Sequence, residues 1–343
     1  MPLLSYPRAD AALGGDWPAP DPRCATGIPM QLPAWMSARA HVVGHAAIRR
    51  FEVAGPGRPA ALAALTCHQG WLRELPHLFE PSDLLWSSPQ ALAALARALA
   101  AQPLPIYLER VPSDSPSIDA LRRAYRGRGL VRVAAAMPTP VIDLACCAGD
   151  ADACVSARQR ADLRRAERKA QRHGEPSYAM HAPATLEELA TLAGEAMAVE
   201  SRSWKMAAGT ALPTQPFQNA FFEALLPAAL ADGSLRIALL HIDGRAVAMQ
   251  IALVWHRRYW LLKISHDAAY ADCSPGQLLI GHTLRLAARQ GLAAYEFMGV
   301  MAPWTALWTR EHRHYVSLRL IPFSLATGKL VVRRLLRRIG GRA

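Results

Sequence analysis

The stretch LRIALLHIDGRAVAMQIALVWHRRYWLLKIS (Leu235–Ser265) decides the fold. It holds three apolar segments of strand length, Leu235–Ile242, Arg245–His256 and Tyr259–Ser265. Asp243-Gly244 is a hairpin dipeptide, and the third segment follows Arg257-Arg258 closely, so an antiparallel meander is predicted. Toward the C-terminus the pattern predicts a helix over Pro275–Gln290, a strand over Ala294–Met298, a short helical piece at Thr305–Glu311 and a strand over Val316–Pro322. A basic helix from Leu325 onward ends the chain. Toward the N-terminus it predicts helices over Phe217–Ala231 and Leu186–Lys205 and a strand over Ser177–His181. The order is β, α, α, β, β, β, α, β, α, β.

At 343 residues the chain is too long for one ordinary domain, because single cores saturate at about 100–200 residues. The segment Arg158–Arg172, with seven cations and two acids, divides the halves. Before it the sequence reads as a second α/β layout: strands Ala47–Val53 and Ala60–Thr66, helix Pro89–Ala101, strand Pro105–Arg110, helix Ser117–Arg128, and strands Leu130–Ala135 and Pro140–Leu144. Residues 1–38, rich in Pro, Gly and Asp, read as an extended lead-in.

With 52% hydrophobic and 19% charged residues, the chain is neither a disordered tail nor a fibrous repeat. The formal charge of +12, from 39 Lys+Arg against 27 Asp+Glu, suggests an anionic partner. Only four cations are lysines: Lys169, Lys205, Lys263 and Lys329. The excess is concentrated in Arg158–Arg172 and in the stretch from Lys329 onward, where apolar and arginine pairs alternate at helical spacing. That terminal stretch reads as a membrane-surface contact or as a helix docked on its own domain. Six cysteines show no C-x-x-C spacing, the start has no signal-peptide pattern, and no apolar run reaches the roughly 18 residues of a spanning helix. A cytoplasmic setting, extending to the inner membrane face, is expected. The adjacent Cys146 and Cys147 do not make an easy disulfide, and His312 and His314 at i, i+2 do not share a helix face, so no metal is expected.

The element order resembles the GNAT acyltransferase fold. The wording Glu200-Ser201-Arg202-Ser203-Trp204-Lys205, then His266-Asp267-Ala268-Ala269-Tyr270, Ser274-Pro275-Gly276-Gln277-Leu278-Leu279 and Tyr295-Glu296-Phe297-Met298-Gly299 resembles its Fem-like branch, which includes proteins tied to cellulose and exopolysaccharide loci (CelD-like). Residues 155–325 carry the resemblance, and the first half resembles the degenerate repeat of tandem members. The implied fold is mixed α/β, with tandem GNAT-like domains, each a mostly antiparallel sheet flanked by helices. The expected domains are 39–152 (degenerate) and 153–328 (acyltransferase), followed by a basic helix over 329–343. Where many relatives have Tyr-Lys this chain has Trp304-Thr305, so no lysine role is carried to that site; a Trp three residues on is kept as Trp308.

The resemblance implies direct transfer from acyl-CoA to an amine, with the pantetheine arm between strands Tyr259–Ser265 and Ala294–Met298. Ser274-Pro275-Gly276-Gln277 reads as a helix start suited to a diphosphate: an N-cap serine, an N1 proline, and a glycine that lets phosphate approach. Gln277 completes a capping-box pattern that would compete with phosphate for one amide. The expected cofactor contacts are Ser274, Gly276, Gln277, Leu278 and Leu279. Asp267 and Glu200 are the candidate bases and Tyr270 a candidate proton donor; each also reads as a structural group. Trp204, Lys205, Glu296 and Trp304 are the candidate acceptor-binding residues. The expected activity is N-acylation of an amine on a sugar or cell-envelope precursor. Two alternatives stand beside it: a Fem-like transferase using charged tRNA, and a catalytically silent scaffold in polysaccharide synthesis.

Overall fold

The computed structural model describes residues 27–44, 47–55, 59–75, 80–145, 152–153 and 155–329. Two compact units are formed, one drawn from Gly15–Pro138 with Arg313–Ala343 and one from Thr139–His312. We call them the N-terminal and C-terminal units. The expected domains divided at 152/153 and kept 313–328 with the second half; the compact units divide at 138/139 and place the last long strand with the first. Cys146 and Cys147 and the basic stretch beyond Lys329 lie outside the described residues.

The N-terminal unit contains α1 (Pro33–Val43), β1 (Ile48–Val53), β2 (Ala61–His68), β3 (Trp71–Glu74), β4 (Leu85–Trp86), α2 (Pro89–Ala100), β5 (Ile106–Pro112), α3 (Pro116–Tyr125) and the first part of β6 (Gly129–Asp143). The closing strand His312–Pro322, β12, belongs with it. Strands β1, β2 and β3 form an antiparallel meander, β5 lies parallel to β3, and β12 is antiparallel to β5 and neighbours β6. Helix α2 supplies the crossover between the parallel strands, burying Leu92, Leu95, Ala96 and Leu99.

Three local expectations are corrected here. Residues 33–38, expected to belong to the extended lead-in, form the first half of α1, because Pro33 suits the first helical position and Ala34, Trp35, Ala38 and Ala40 bury its sides. The two strands expected at 130–135 and 140–144 are one strand of 15 residues. It starts at Gly129, where a Cβ would lie 2.5 Å from Ile321 O, so only glycine lets β12 come so close. The helical piece expected at 305–311 is a run of turns.

The C-terminal unit repeats the plan. It contains α4 (Ala157–His173), β7 (Pro176–His181), α5 (Leu186–Ser201), α6 (Trp204–Ala207), α7 (Pro216–Ala231), β8 (Leu235–Ile242), β9 (Arg245–Trp255), β10 (Arg258–His266), α8 (Pro275–Arg289) and β11 (Ala294–Glu296). The predicted meander is present as β8–β9–β10, with β7 added antiparallel to β8. Helix α8 crosses over to β11, which is parallel to β10, and residues 141–143 of β6 pair antiparallel with β11. The fold is mixed α/β. Helix α4, all charge in sequence, is tied down by Leu163 and Ala170 in a core shared with α8 and β8–β10.

Candidate active site

Strands β10 and β11 pair over three residues only, Arg258–Trp260 against Ala294–Glu296. Strand β10 continues to His266, while the chain after Glu296 turns away through Met298 (φ 58°) and Gly299 (φ 61°). The edge of β10 from Leu261 to His266 thus has no paired strand on that side among the described residues. Pairing with β9 slips between Leu261 and Lys263, a bulge midway along this open edge.

One end of the edge meets the start of α8. Ser274 caps that helix in the left-handed conformation (φ 51°, ψ 54°) and its side chain makes no capping bond. The expected capping box is therefore absent: the turned backbone carries the hydroxyl away, and Gln277 Oε1 instead accepts from Trp308 Nε1 at 2.6 Å. The amides of Gln277 and Leu278 both donate to Ser274 O, at 2.9 and 3.2 Å. The Gly276 N–H meets no acceptor among the described residues. A Cβ at Gly276 would lie 3.5 Å from His266 Nδ1 and 3.9 Å from Ile264 Cδ1, so the helix start faces the end of β10. Leu278 and Leu279 are buried in the core and can offer a ligand only backbone.

At Lys263 and Ile264 the same stretch meets a buried charge cluster. Glu200, at the end of α5, is fully buried; its Oε1 lies 3.0 Å from Lys263 Nζ and accepts from Leu212 N at 3.2 Å, and its Oε2 is 3.8 Å from Lys205 Nζ. Burial works to raise the Glu200 pKa, but the two ammonium groups outweigh it and hold the carboxyl below its ordinary value. Burial pushes Lys205 down to about 8, against the pull of Glu200. Its Nζ also donates to Ile264 O, a carbonyl of the open-edged stretch of β10. Lys205 is thus where the charge cluster touches β10.

Asp267 is placed otherwise than expected. It is buried, Arg202 Nε donates to Oδ2 at 2.6 Å, Arg245 Nη2 donates to the same oxygen at 3.0 Å, and Ala269 N donates to Oδ1 at 3.0 Å. Burial raises its pKa, but these donors prevail and hold it below the ordinary value, which speaks against proton acceptance near neutral pH. Glu200, committed to its lysines, is an equally poor acceptor. Tyr270 packs over the clamp instead of the cluster, its ring 5.9 Å from the Arg245 guanidinium and 5.2 Å from the His173 ring.

The acceptor candidates divide. Trp204 is 58% exposed and begins α6, directly before Lys205. Trp304 is half-exposed, edge-on to Phe297 at 5.9 Å. Glu296 is buried against Arg258, Nη1 to Oε1 3.0 Å, and burial raises it to about 7 despite that cation. His173, Asp272 and Cys273 bring three potential metal-ligand atoms within 4.8 Å, but burial pushes the Cys273 thiol up to about 11, away from the thiolate a metal prefers.

Sequence reasoning missed Lys263, His266, Arg202 and Arg245. A signal existed for the first: two of the chain's four lysines, in a sequence that otherwise uses arginine, converge on one buried glutamate. His266 had none. Burial lowers its pKa, with Lys205 adding to the effect, so the imidazole beside Gly276 is neutral at pH 7.

Residues 157–305 match the family described as acetyltransferase (GNAT) domain. No curated protein matches the chain by sequence. Among solved structures, the C-terminal domain of a protein described as a lysylphosphatidylglycerol synthetase from Agrobacterium fabrum is similar at 12% identity and TM-score 0.55, covering 87% of this chain and 91% of that one. FemX is similar at 14% identity and TM-score 0.53, over 87% and 93%. A conserved Bacteroides thetaiotaomicron protein of unknown function is similar at 12% identity and TM-score 0.53, over 84% and 89%. At such identities the likeness is one of fold, and the stretch that matches the GNAT-domain model lies within the C-terminal unit.

Proposed function

We propose that the protein is an acyl-CoA-dependent N-acyltransferase whose donor lies along the open edge of β10. The observation that carries this reading is the Gly276 N–H at the helix start, which has no acceptor among the described residues and faces the end of an edge that runs back to a buried lysine. Diphosphate at Gly276 takes an unsatisfied amide and the positive end of α8. From His266 to the bulge is about 13 Å at 3.3 Å per residue, a span comparable to an extended pantetheine arm. An arm laid along that stretch passes Lys205, which holds Ile264 O about 7 Å from His266 at 3.3 Å per residue.

An acceptor amine attacks the carbonyl carbon there, the C–N bond forms, the C–S bond breaks, and CoA leaves as the thiol. The nucleophile must shed a proton. Lys205, lowered to about 8, is better matched to that task than Glu200 or Asp267, both of which are held below their ordinary values. Glu200 and Lys263 orient Lys205, Asp267 fixes the turn from β10 into α8 through its two arginines, and Trp204 and Trp304 offer aromatic surface to the acceptor. The acceptor class proposed is an amine on a sugar or cell-envelope precursor, as in the Fem-like, CelD-like branch. The repeated meander and crossover helix in the N-terminal unit support reading it as a degenerate tandem copy. Among the described residues no helix is long and apolar enough to cross a membrane. Peripheral attachment through 329–343 at the inner membrane face is the proposed setting.

Calorimetric titration of the intact protein with acetyl-CoA and CoA tests the donor, and binding of both is expected. Absence of binding at millimolar ligand, with binding of charged tRNA, would transfer the reading to an aminoacyl transferase; binding of neither, with no turnover on any amine, would leave a scaffold. For Lys205, kcat/KM is expected to rise with pH and level off above about 8. Lys205→Arg keeps the charge, removes the proton acceptor and should abolish that inflection.

A further inference from the structure

The imidazole of His266 stands where the open edge of β10 meets the start of α8. It is half-buried, neither ring nitrogen meets a hydrogen-bond partner among the described residues, and neither is sealed from solvent. Nδ1 lies 3.5 Å from the place that a Cβ on Gly276 would take. That place is two bonds of about 1.5 Å from Gly276 N, so Nδ1 is within about 6.5 Å of the unsatisfied amide. An anion on that amide, on the side turned to β10, comes within the ~4–6 Å at which an opposite charge favours the imidazolium.

The surrounding charges favour such an anion. Lys205, from α6, acts against protonation of His266, and Asp267, the next residue, acts for it. Asp267 is already shared by Arg202 and Arg245, and Glu200, from α5, by Lys205 and Lys263, so four cations face two carboxylates. Across the sheet β9 offers only Ala248, and the first turn of α8 holds no acid. In the turn Ala268–Cys273, Asp272 is engaged by His173 at 2.9 Å, with Lys169 on its carbonyl. Burial, with Lys205 adding to it, lowers the His266 pKa and leaves the imidazole neutral at pH 7.

We propose that His266 is the side chain that grips the donor's diphosphate, and that it takes up a proton as the diphosphate binds. This rests on the donor site proposed above. The proton comes from solvent and lies between an imidazole nitrogen and a phosphoryl oxygen, and no bond of the donor breaks. Donor affinity therefore rises as pH falls, and the gain is lost as pH rises through the value that the imidazole takes in the complex.

Calorimetry of the intact chain with dephospho-CoA, in buffers of different ionisation enthalpy at about pH 6.5, tests this. Dephospho-CoA keeps the diphosphate but lacks the 3′-phosphate, whose own ionisation near pH ~6 would blur the count. Lys205, at about 8, stays protonated there and adds nothing. Uptake of more than about half a proton per ligand is expected in the wild type, and close to none in His266→Asn or His266→Gln. The wild type should bind about tenfold more tightly than either variant at pH ~6.5, and about equally at pH ~8.5. Two variants guard against one that fails to fold, and the wild-type uptake is read without either. Binding without proton uptake, or with uptake unchanged in a folded variant, overturns the role of His266 and leaves the donor site standing. No binding of dephospho-CoA or CoA by the wild type overturns the donor site, and the role of His266 with it.

Discussion

Helices α2 and α8 hold the same place in their units, each crossing from the last meander strand to a parallel fourth strand, and each begins Ser-Pro. At α2, Ser88 is extended (φ −154°) and its hydroxyl accepts from Ala91 N at 3.2 Å, so the helix start is closed by its own side chain. At α8, Ser274 is left-handed, its hydroxyl caps nothing, and Gly276 follows. One unit spends its serine on stability; the other leaves an amide facing the open edge of a strand. The difference lies in the cap: the proposed donor site is at the crossover helix whose serine does not close it.

The buried acids extend this contrast and set the largest expected effect. Glu200→Gln leaves Lys205 and Lys263 without their counter-charge, and losing one partner of a buried ion pair costs about 3–5 kcal/mol. Asp83→Asn in the N-terminal unit replaces a carboxyl held by a hydroxyl and an amide, for about 1 kcal/mol. Urea unfolding of both variants measures the two, and equal costs would break the contrast.

Next comes the helix start itself. Gly276→Trp should weaken donor binding on the order of 100-fold, about 2.7 kcal/mol, while Gln90→Trp, at the matching exposed position of α2, should leave it unchanged. Calorimetry with CoA reads both. A loss in both variants would mean that the N-terminal unit also contributes to the donor site.

A smaller effect is shared by the units. Burial raises Asp83 and Glu296 each to about 7, so between the ordinary carboxylate range and about pH 7 the folded chain holds protons that the unfolded chain has released. Stability therefore falls as pH rises through that window. Asp83→Asn and Glu296→Gln should each flatten the thermal midpoint against pH, and an unchanged slope in both would place the titration elsewhere.

How much of this was legible in the sequence follows from the range of the forces involved. The meander was readable because Asp243-Gly244 and the apolar segments act within a few residues. The Glu200 cluster was half readable: Glu200 and Lys205 stood out locally, but Lys263 joins them only through tertiary packing. Asp267 misled because a carboxylate at a strand end looks reactive until Arg202 and Arg245 are seen to close on it. The left-handed turn at Ser274 was hidden by a sequence that spells a good cap, since Ser-Pro-x-x reads alike at 88 and 274.

That identity of spelling gives the smallest and sharpest test. Ser88→Ala removes an N-cap acceptor from Ala91 N and should cost about 1 kcal/mol. Ser274→Ala removes a hydroxyl that caps nothing, so no cap energy is lost. Ser274→Gly should go further and stabilise by about 0.4–1 kcal/mol if relief of the φ 51° strain exceeds the added chain entropy, because glycine alone adopts that conformation without penalty. Urea midpoints at constant slope separate the three. If Ser274→Ala costs as much as Ser88→Ala, then Ser274 caps its helix in solution, the Gly276 amide must compete with that cap, and the proposed distinction between the two units fails at its source.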